Sequence, residues 1–508
     1  MELPTGPETV VHMLETASEQ SPNMCAISYD GRELTYREYA NCVSHFAEEL
    51  ERLGVCGERV AILCGNSSDM AVAYFAGHAA GAQVVPINPA YTKRELVQIL
   101  ADAQPIVAIY DEDIKNLADQ VIHETGIAKG ISVGPSALRL DTWKNKDREL
   151  SSNRLPTGDQ LATLQYTGGT SGIPKGVNIS HRQITINLRQ RESILPMRPD
   201  YEVIFCVMPL FHIFASYMCL HTAAYCRGKL VIRRRYNPKD LLDDIESQKI
   251  TILPVGPTVF HSLLNFDQFA ETDFSNLRIG YSGSAPLPEE TLRKWEKYTG
   301  TKILEGYGQS EAGPLLTTNT LDEPIIPGSV GRALPLTKIE IVDVQTGINI
   351  MDTGVEGEIR AIGPQIMLGY RNRRKETAEA LKGGWLYTGD IGRLDENGVL
   401  YITDRKKDMA IVSGYNVYPR EIDEVLFAHP NVVEAAAVGI PDSYRGEVIQ
   451  AFVVVKDCTT NTANELTEYC EGQMAKYKVP SVFHVVDELS KTTVGKIDKA
   501  GLRKSLIE

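Results

Sequence analysis

The sequence is short of positive charge. Lys and Arg total 52 against 66 Asp and Glu, a formal net charge of −14 over 508 residues. That balance argues against nucleic acid as a general partner, because such binding draws most of its affinity from positive charge. Paired cysteine motifs are missing as well. Nine cysteines, Cys25, Cys64, Cys206 and Cys458 among them, are scattered with no C-x-x-C spacing. An odd, dispersed set implies reduced thiols in a cytoplasmic protein, with neither a disulfide framework nor a zinc cluster. The start, Met1-Glu2-Leu3-Pro4, has no basic region and no apolar region, so no signal peptide is expected. No integral membrane segment is expected either. The most apolar stretch, 203–226, is interrupted by Pro209, His212 and His221 and reads as strand, turn and helix around a pocket. There is no internal repeat and no low-complexity segment.

What is present is an ordinary globular composition, 43% hydrophobic and 23% charged, in a chain long enough for two or more domains. One stretch stands out: Leu164-Gln165-Tyr166-Thr167-Gly168-Gly169-Thr170-Ser171-Gly172-Ile173-Pro174-Lys175-Gly176. An apolar strand runs into a turn rich in glycine and hydroxyls, followed by one lysine. The glycines let backbone N–H groups approach an anion, Thr167, Thr170 and Ser171 donate hydrogen bonds, and Lys175 adds a point charge. It is a phosphate loop by composition but not a Walker loop, because Lys175 follows Pro174 and precedes Gly176. Alone, it reads slightly better as a solvated Gly/Ser/Thr turn.

Around it the chain alternates. Thr35-x-x-Glu38 is a capping box, and Tyr36, Tyr39, Val43, Phe46, Leu50 and Leu53 recur at helical steps up to Gly54. Strands are expected at 60–64, 84–87 and 106–110, with helices at 68–82 and 93–101. After the loop come helix 183–191, strand 203–208, helix 238–248, and strands at 250–254 and 277–282. A helix then runs from Pro288 to about Tyr298. This rhythm predicts an α/β fold: a large N-terminal domain of parallel sheets covered by helices. Tyr166, Pro209, Gly283 and Gly306 are expected just after strands, where ligands of open sheets collect. From about Ile325, short alternating runs such as 338–344 and 357–361 predict a small β-rich subdomain. Beyond Asp404, helices at 419–428 and 463–474 and strands at 434–438, 449–455 and 481–486 predict a small α+β C-terminal domain. The expected division is 1–405 and 406–508.

Five motifs occur in order: Thr167 to Gly176; Glu305-Gly306-Tyr307-Gly308-Gln309-Ser310-Glu311; Tyr387-Thr388-Gly389-Asp390; Asp404-Arg405-Lys406-Lys407-Asp408 through Ser413-Gly414-Tyr415; and Thr493-Val494-Gly495-Lys496-Ile497. Together they resemble the adenylate-forming superfamily of acyl- and aryl-CoA synthetases, luciferases and peptide-synthetase adenylation domains. The likeness is greatest to bacterial medium- and long-chain fatty acyl-CoA ligases and covers nearly the whole chain. It implies an enzyme using ATP, Mg²⁺ and coenzyme A. A carboxylate is first condensed with the α-phosphate of ATP to give acyl-AMP and pyrophosphate, and a thiol then displaces AMP. Charge neutralisation dominates the first step, since an anionic nucleophile meets a polyanion.

By the same resemblance, Thr167, Gly168, Gly169, Thr170, Ser171, Gly172 and Lys175 hold the β- and γ-phosphates. Glu311 binds Mg²⁺, Ser310 contacts the α-phosphate, Glu305, Gly306, Tyr307 and Gly308 flank adenine, and Gly283, Ser284 and Ala285 form its other wall. Asp390 accepts the ribose hydroxyls, and Arg405 reaches ribose or phosphate. His212 is a gate at the substrate carboxylate, although a histidine in an apolar run is usually a core residue. Lys496, otherwise a solvated tail charge, is the catalytic lysine of adenylation. Lys407 is the hinge, and Ser413, Gly414 and Tyr415 line the coenzyme A tunnel in a mobile C-terminal domain. The neighbours Asp498-Lys499-Ala500 depart from the arginine-rich tail expected of a fatty acyl ligase.

The acyl pocket is expected from Phe211, His212, Phe214, Tyr217, Val255, Gly256, Gly308 and Leu315. No aspartate follows His212 that could pair an α-ammonium group, the nearest being Asp240 and Asp243 on an expected surface helix. A plain carboxylate is therefore favoured, a medium- or long-chain fatty acid first and an aryl or short functionalised acid second. Two other readings remain: an acyl-AMP ligase loading a carrier protein, and a degenerate nucleotide-binding sensor. The expected assembly is a monomer or homodimer.

Overall fold

The computed structural model describes residues 3–148, 150, 155–167, 174–283, 285, 287–413, 415–442, 444–492 and 496–506. The chain forms two compact units. The first is Met1–Ile325 with Gly331–Lys338 and Ile362–Leu386; the second is Ile326–Val330, Ile339–Ala361 and Tyr387–Glu508.

Two sheets carry the first unit. In the seven-stranded sheet the strands Gln83–Pro86, Arg59–Leu63, Val107–Asp111 and Lys129–Val133 run parallel, and Leu161–Thr167, Lys175–Ser180 and Gly369–Tyr370 extend it. The nine-stranded sheet has a parallel centre of Cys25–Tyr29, Lys229–Ile232, Val203–Cys206, Ile252–Val255, Ile279–Ser282 and Ile303–Gly308, with antiparallel strands at its edges. Such strands are buried on both faces, which is why they read as continuous apolar runs. Val60, Ala61, Ile62, Val84, Val85, Ala108 and Ile109 are all fully covered.

The helices begin where their side chains cap them. In Tyr36–Arg52 the Thr35 hydroxyl accepts from Glu38 N–H at 3.2 Å, and the Glu38 carboxylate accepts from Thr35 N–H at 2.8 Å. Its buried stripe is Tyr36, Tyr39, Val43, Phe46 and Leu50. Leu53 falls outside it, as the exposed C-cap. Ser180 and Gln183 repeat the capping device at His181–Glu192. The apolar stretch 203–226 resolves into the strand Val203–Cys206 and a helix whose middle, Ser216–His221, is π-helical. Arg191, fully buried and ion-paired with Glu192, donates to Thr222 Oγ1 at 2.9 Å and lies 5.6 Å from the Tyr217 ring centroid. It ties the helix His181–Glu192 to the π-turn.

The second unit contains the expected β-rich subdomain, with Lys338–Val342, Gly357–Ile362, Trp385–Leu394 and Leu400–Arg405 in one sheet. Its other sheet, Ala410–Val412, Tyr415–Val417, Gly446–Val455, Val432–Asp442 and Val482–Val485, packs on the helices Pro419–Phe427 and Thr462–Gln473 through Ile422, Leu426, Ala435, Ala451 and Leu466. Burying the branched Ile422, Leu426 and Leu466 contributes about 1.5–3 kcal/mol each.

Candidate functional site

In the first unit the phosphate-loop motif lies between two antiparallel strands. Thr167 ends Leu161–Thr167, Lys175 begins Lys175–Ser180, and the two are register partners. Lys175 is therefore a strand residue and not the loop's tail. Gly168, Gly169, Thr170, Ser171 and Gly172 lie outside the described residues, as do Ser284 and Gly414. Tyr166 sits within its strand, its hydroxyl donating to Asp102 at 2.6 Å. Gly306 likewise lies inside Ile303–Gly308, so neither residue follows its strand as expected. Gly283 does follow one.

A residue that sequence reading missed joins the motifs. Tyr370, on the strand Gly369–Tyr370, pairs with Val177 and so stands beside Lys175. The Lys175 ammonium lies 5.1 Å from the Tyr370 ring centroid, and the Tyr370 hydroxyl donates to Glu311 at 2.8 Å. Burial and the Glu311 charge push this phenol up from its ordinary range, so it stays protonated as a donor. Glu311 sits in the 3₁₀ turn Ser310–Ala312, whose carbonyl at 311 accepts from Met367 N–H at 2.9 Å. Cation, aromatic ring and carboxylate thus form one connected row. Among the described residues no group of three or more His, Cys, Asp or Glu could cage a metal. A single carboxylate suits Mg²⁺, which keeps several waters and takes other ligands from substrate phosphates.

The expected adenine-site glycines have packing reasons of their own. A Cβ on Gly308 would stand 1.8 Å from the Pro314 carbonyl oxygen, and one on Gly306 would stand 2.3 Å from the Tyr281 hydroxyl. At Gly283 it would meet the Phe214 ring at 2.8 Å. Tyr307 is buried in the strand between these glycines. Glu305 is buried too, accepting from Leu287 N–H at 3.2 Å, and Ala285 is exposed. Phe211, His212 and Phe214 are half-buried, and His212 Nδ1 caps its helix by accepting from Phe214 N–H at 3.2 Å. Behind that turn lies a cavity of about 10 Å³ walled by Ile179, Ile184, Ile213, Ser216, Tyr217 and Pro314 among others. Tyr217 is the one expected acyl-pocket residue that lines it. Val255 and Leu315 are buried, Gly256 is the N-cap of the helix Pro257–Leu264, and Gly308 ends the strand Ile303–Gly308.

The second unit gathers a different set. Asp390 and Arg405 face each other across antiparallel strands, with Arg405 Nε 3.4 Å from Asp390 Oδ1. Asp390 is buried, and its N–H donates to Thr388 Oγ1 at 3.1 Å. Lys496 is drawn to the same place. Burial and the Arg405 charge push its ammonium down to about 8, Asp390 pulling the other way. Lys407 is exposed in the turn after Arg405. The preceding Lys406 is ion-paired with buried Glu358 at 2.8 Å. Ser413 adopts a left-handed φ of 51°. Exposed Tyr415 stacks on Tyr477 with ring centroids 4.6 Å apart, a partner not expected from sequence.

Comparison with known proteins finds relatives along nearly the whole chain. Residues 14–371 match the family model described as AMP-binding enzyme, and residues 421–496 match the AMP-binding enzyme C-terminal domain. A long-chain-fatty-acid–CoA ligase of Bacillus subtilis is 34% identical across 100% of this chain and 95% of its own length. One from Escherichia coli is 35% identical across 98% and 94%. The crystal structure of ATP-bound MatB from Rhodopseudomonas palustris superposes with a TM-score of 0.90, at 30% identity, covering 97% of this chain and 98% of that one.

Proposed function

From the premise that this chain belongs to the AMP-binding enzyme family, we propose that it converts a medium- or long-chain fatty acid to its coenzyme A thioester. The reaction class is that of an AMP-forming acid–thiol ligase, an acyl-CoA synthetase using ATP, Mg²⁺ and coenzyme A. The choice of a fatty acid is supported by end-to-end similarity to the two ligases named above.

In the first half-reaction a carboxylate oxygen bonds to the α-phosphorus as the bond to pyrophosphate breaks. In the second, the coenzyme A sulfur bonds to the acyl carbon, AMP leaves and the thiol proton goes to solvent. Within that scheme Lys175 and the loop at 168–172 hold the departing phosphates, Glu311 holds the metal with Tyr370 steadying it, and Ser310 contacts the α-phosphate. Mg²⁺, when bound, neutralises phosphate charge. The observation that carries this reading is the row Lys175, Tyr370, Glu311, a cation and a carboxylate fixed 5.1 Å and 2.8 Å from one tyrosine. Asp390 takes the ribose hydroxyls, Arg405 the ribose or phosphate, and Lys496 the carboxylate and α-phosphate. We place the domain boundary at 405/406, with Lys407 as hinge and Ser413, Gly414 and Tyr415 beside the pantetheine arm. His212 gates an acyl pocket that includes Tyr217.

The substrate is a small-molecule carboxylic acid, and no helix of the described residues is long and apolar enough to cross a membrane. Nine free cysteines support a cytoplasmic setting, where we propose a monomer or homodimer. The test is mass spectrometry of products from purified protein, Mg-ATP, coenzyme A and a pool of fatty, aryl and short acids. Fatty acyl-CoA with AMP is expected. Acyl-AMP without thioester, or an aryl thioester in preference, overturns the assignment.

A further inference from the structure

Within the second unit, the helix Pro419–Phe427 is capped from outside its own segment. Its N-cap residue, Tyr418, makes no side-chain cap, and Pro419 has no N–H to offer. The first N–H of the helix, that of Arg420, donates instead to Asp404 Oδ2 at 2.9 Å, and the Arg420 guanidinium Nη1 donates to the Ile402 carbonyl at 2.8 Å. Both acceptors belong to the strand Leu400–Arg405, which precedes Lys407, whereas the helix follows it. A carboxylate suits a helix N-terminus, where unsatisfied N–H groups carry partial positive charge.

The same helix is tied to the segment that bears Lys496. Three residues along from Arg420, buried Asp423 pairs with Lys499 at 2.5 Å. The Lys499 charge also reaches Asp404: burial pushes that carboxyl up, and Lys499 with the N–H groups of Arg420 and Arg405 pulls it back. One cation thus serves two buried carboxylates, Asp404 from before Lys407 and Asp423 from after it. In this arrangement the Lys496 ammonium lies near enough to Arg405 and Asp390 for both charges to act on it. The docked helix and the placement of Lys496 beside the nucleotide-site residues therefore occur together.

A pivot at Lys407 turns everything after it against everything before it. Asp404 and Ile402 stay with the β-rich subdomain while Arg420, Asp423 and Lys499 move, so the rotation cannot keep these contacts. It withdraws a cap, a charged hydrogen bond and the cation that serves Asp404.

We infer that Asp404 and Arg420 are positioning residues that hold the C-terminal domain in its adenylation orientation and so set the balance between the two half-reactions. This rests on the acyl-CoA synthetase reading with its hinge at Lys407 and deepens it. Each half-reaction proceeds from its own orientation. When the orientations exchange faster than the chemistry, the ratio of the two rates follows the equilibrium constant between them. Loss of a hydrogen bond from a charged group changes such a constant by about tenfold.

The experiment uses the full chain with Mg-ATP, coenzyme A and dodecanoic acid, and times two single turnovers. The first is acyl-AMP formation without coenzyme A; the second is thioester formation when coenzyme A is added to the acyl-AMP complex. Arg420→Met keeps the stem but has no donor for Ile402, and is expected to lower the ratio of the first rate to the second by about tenfold. Asp404→Asn, which keeps the shape and loses the charge, is expected to shift the ratio the same way and carries the test if Arg420→Met melts early. Glu424→Gln removes the other partner of the Arg420 guanidinium, 3.2 Å from Nε on the same helix, and should leave the ratio at the wild-type value. A ratio unchanged in both Arg420→Met and Asp404→Asn overturns the inference, and so does an equal shift in Glu424→Gln. No acyl-AMP from the wild type overturns the fatty acyl reading, and a ratio unmoved by Lys407→Pro overturns the hinge; either takes this inference with it. A ratio that moves in Lys407→Pro alone refutes the role of Asp404 and Arg420 and keeps the hinge.

Discussion

Replacing Tyr370 by Phe separates the two contacts that this side chain makes. The ring stays under the Lys175 ammonium, now 5.1 Å from its centroid, while the hydroxyl that donates to Glu311 at 2.8 Å is lost. A hydrogen bond to a charged group contributes about 1.5–3 kcal/mol when well buried, and Tyr370 is only half-buried, so the lower end applies. That corresponds to about tenfold at 1.4 kcal/mol per decade, the low end of the 10–100-fold that loss of a metal ligand's supporting hydrogen bond usually costs. Tyr370→Phe is therefore expected to raise the Mg²⁺ concentration giving half-maximal adenylation by about tenfold, with little change in KM for ATP at saturating metal. Tyr370→Leu removes the ring as well. The cation–π contact of about 0.5–1 kcal/mol at a partly exposed site then adds a severalfold loss in the grip on ATP. The assay is pyrophosphate release over a magnesium titration, with metal-free nucleotide binding by calorimetry as the second readout. Equal magnesium requirements in wild type and Tyr370→Phe would refute the link through Glu311, and identical behaviour of the two variants would refute the role of the ring.

The Lys496 ammonium, pushed down to about 8 by burial and Arg405, loses its proton as pH rises through that value. kcat/KM for adenylation is expected to fall above pH 8 and not near 10, while Lys496→Arg, which stays charged, keeps a flat profile. Because folding depresses this pKa, the protonated form costs stability in full below about pH 8, and the cost vanishes above the ordinary lysine range. Lys407→Pro, in an exposed turn, is expected to spare adenylation more than thioester formation, and equal loss of both in single-turnover assays sinks the hinge assignment. Gly308→Ala would place a Cβ 1.8 Å from the Pro314 carbonyl oxygen, so it should cost about 1–3 kcal/mol or more and lower the melting temperature. Gly256→Ala meets nothing within 4 Å and should melt like wild type, shifting only acyl preference if Gly256 faces the chain.

Local signals were legible and distant pairings were not. The capping box at Thr35 and Glu38 announces the helix Tyr36–Arg52 because both partners lie within one turn. The parallel strands announce themselves because burial on two faces leaves them uniformly apolar. Tyr370 carries no such signal. It reaches Lys175 only through the register Tyr370↔Val177, across almost two hundred residues of chain. In the cavity behind the His212 turn only Tyr217 was singled out from sequence, because its other walls come from Tyr74, Thr163, Ile179 and Ile184, segments that proximity to His212 in the chain could not suggest. The π-turn that aims Ser216 and His221 has no compositional mark either.

The departure at Asp498-Lys499-Ala500 includes two residues with a structural role of their own. Read against an arginine-rich tail, these residues weaken the analogy around Lys496. In the second unit two of them tie down the chain that follows it. Lys499 pairs with Asp423 at 2.5 Å, on the helix Pro419–Phe427, and Asp423 is almost fully covered. Burial pushes that carboxyl up, while Lys499 and the Ala437 N–H that donates to it pull it back. Asp498 caps the helix Lys499–Ser505 by accepting from Gly501 N–H at 3.0 Å. Both residues act within three positions of Lys496, whose carbonyl accepts from Thr492 N–H at 2.6 Å. A lysine on a tail has too many rotamers to serve as a fixed charge. The ion pair and the cap remove much of the backbone's share of that freedom. Asp498 and Lys499, which depart from the expected tail, thus anchor the chain close behind Lys496.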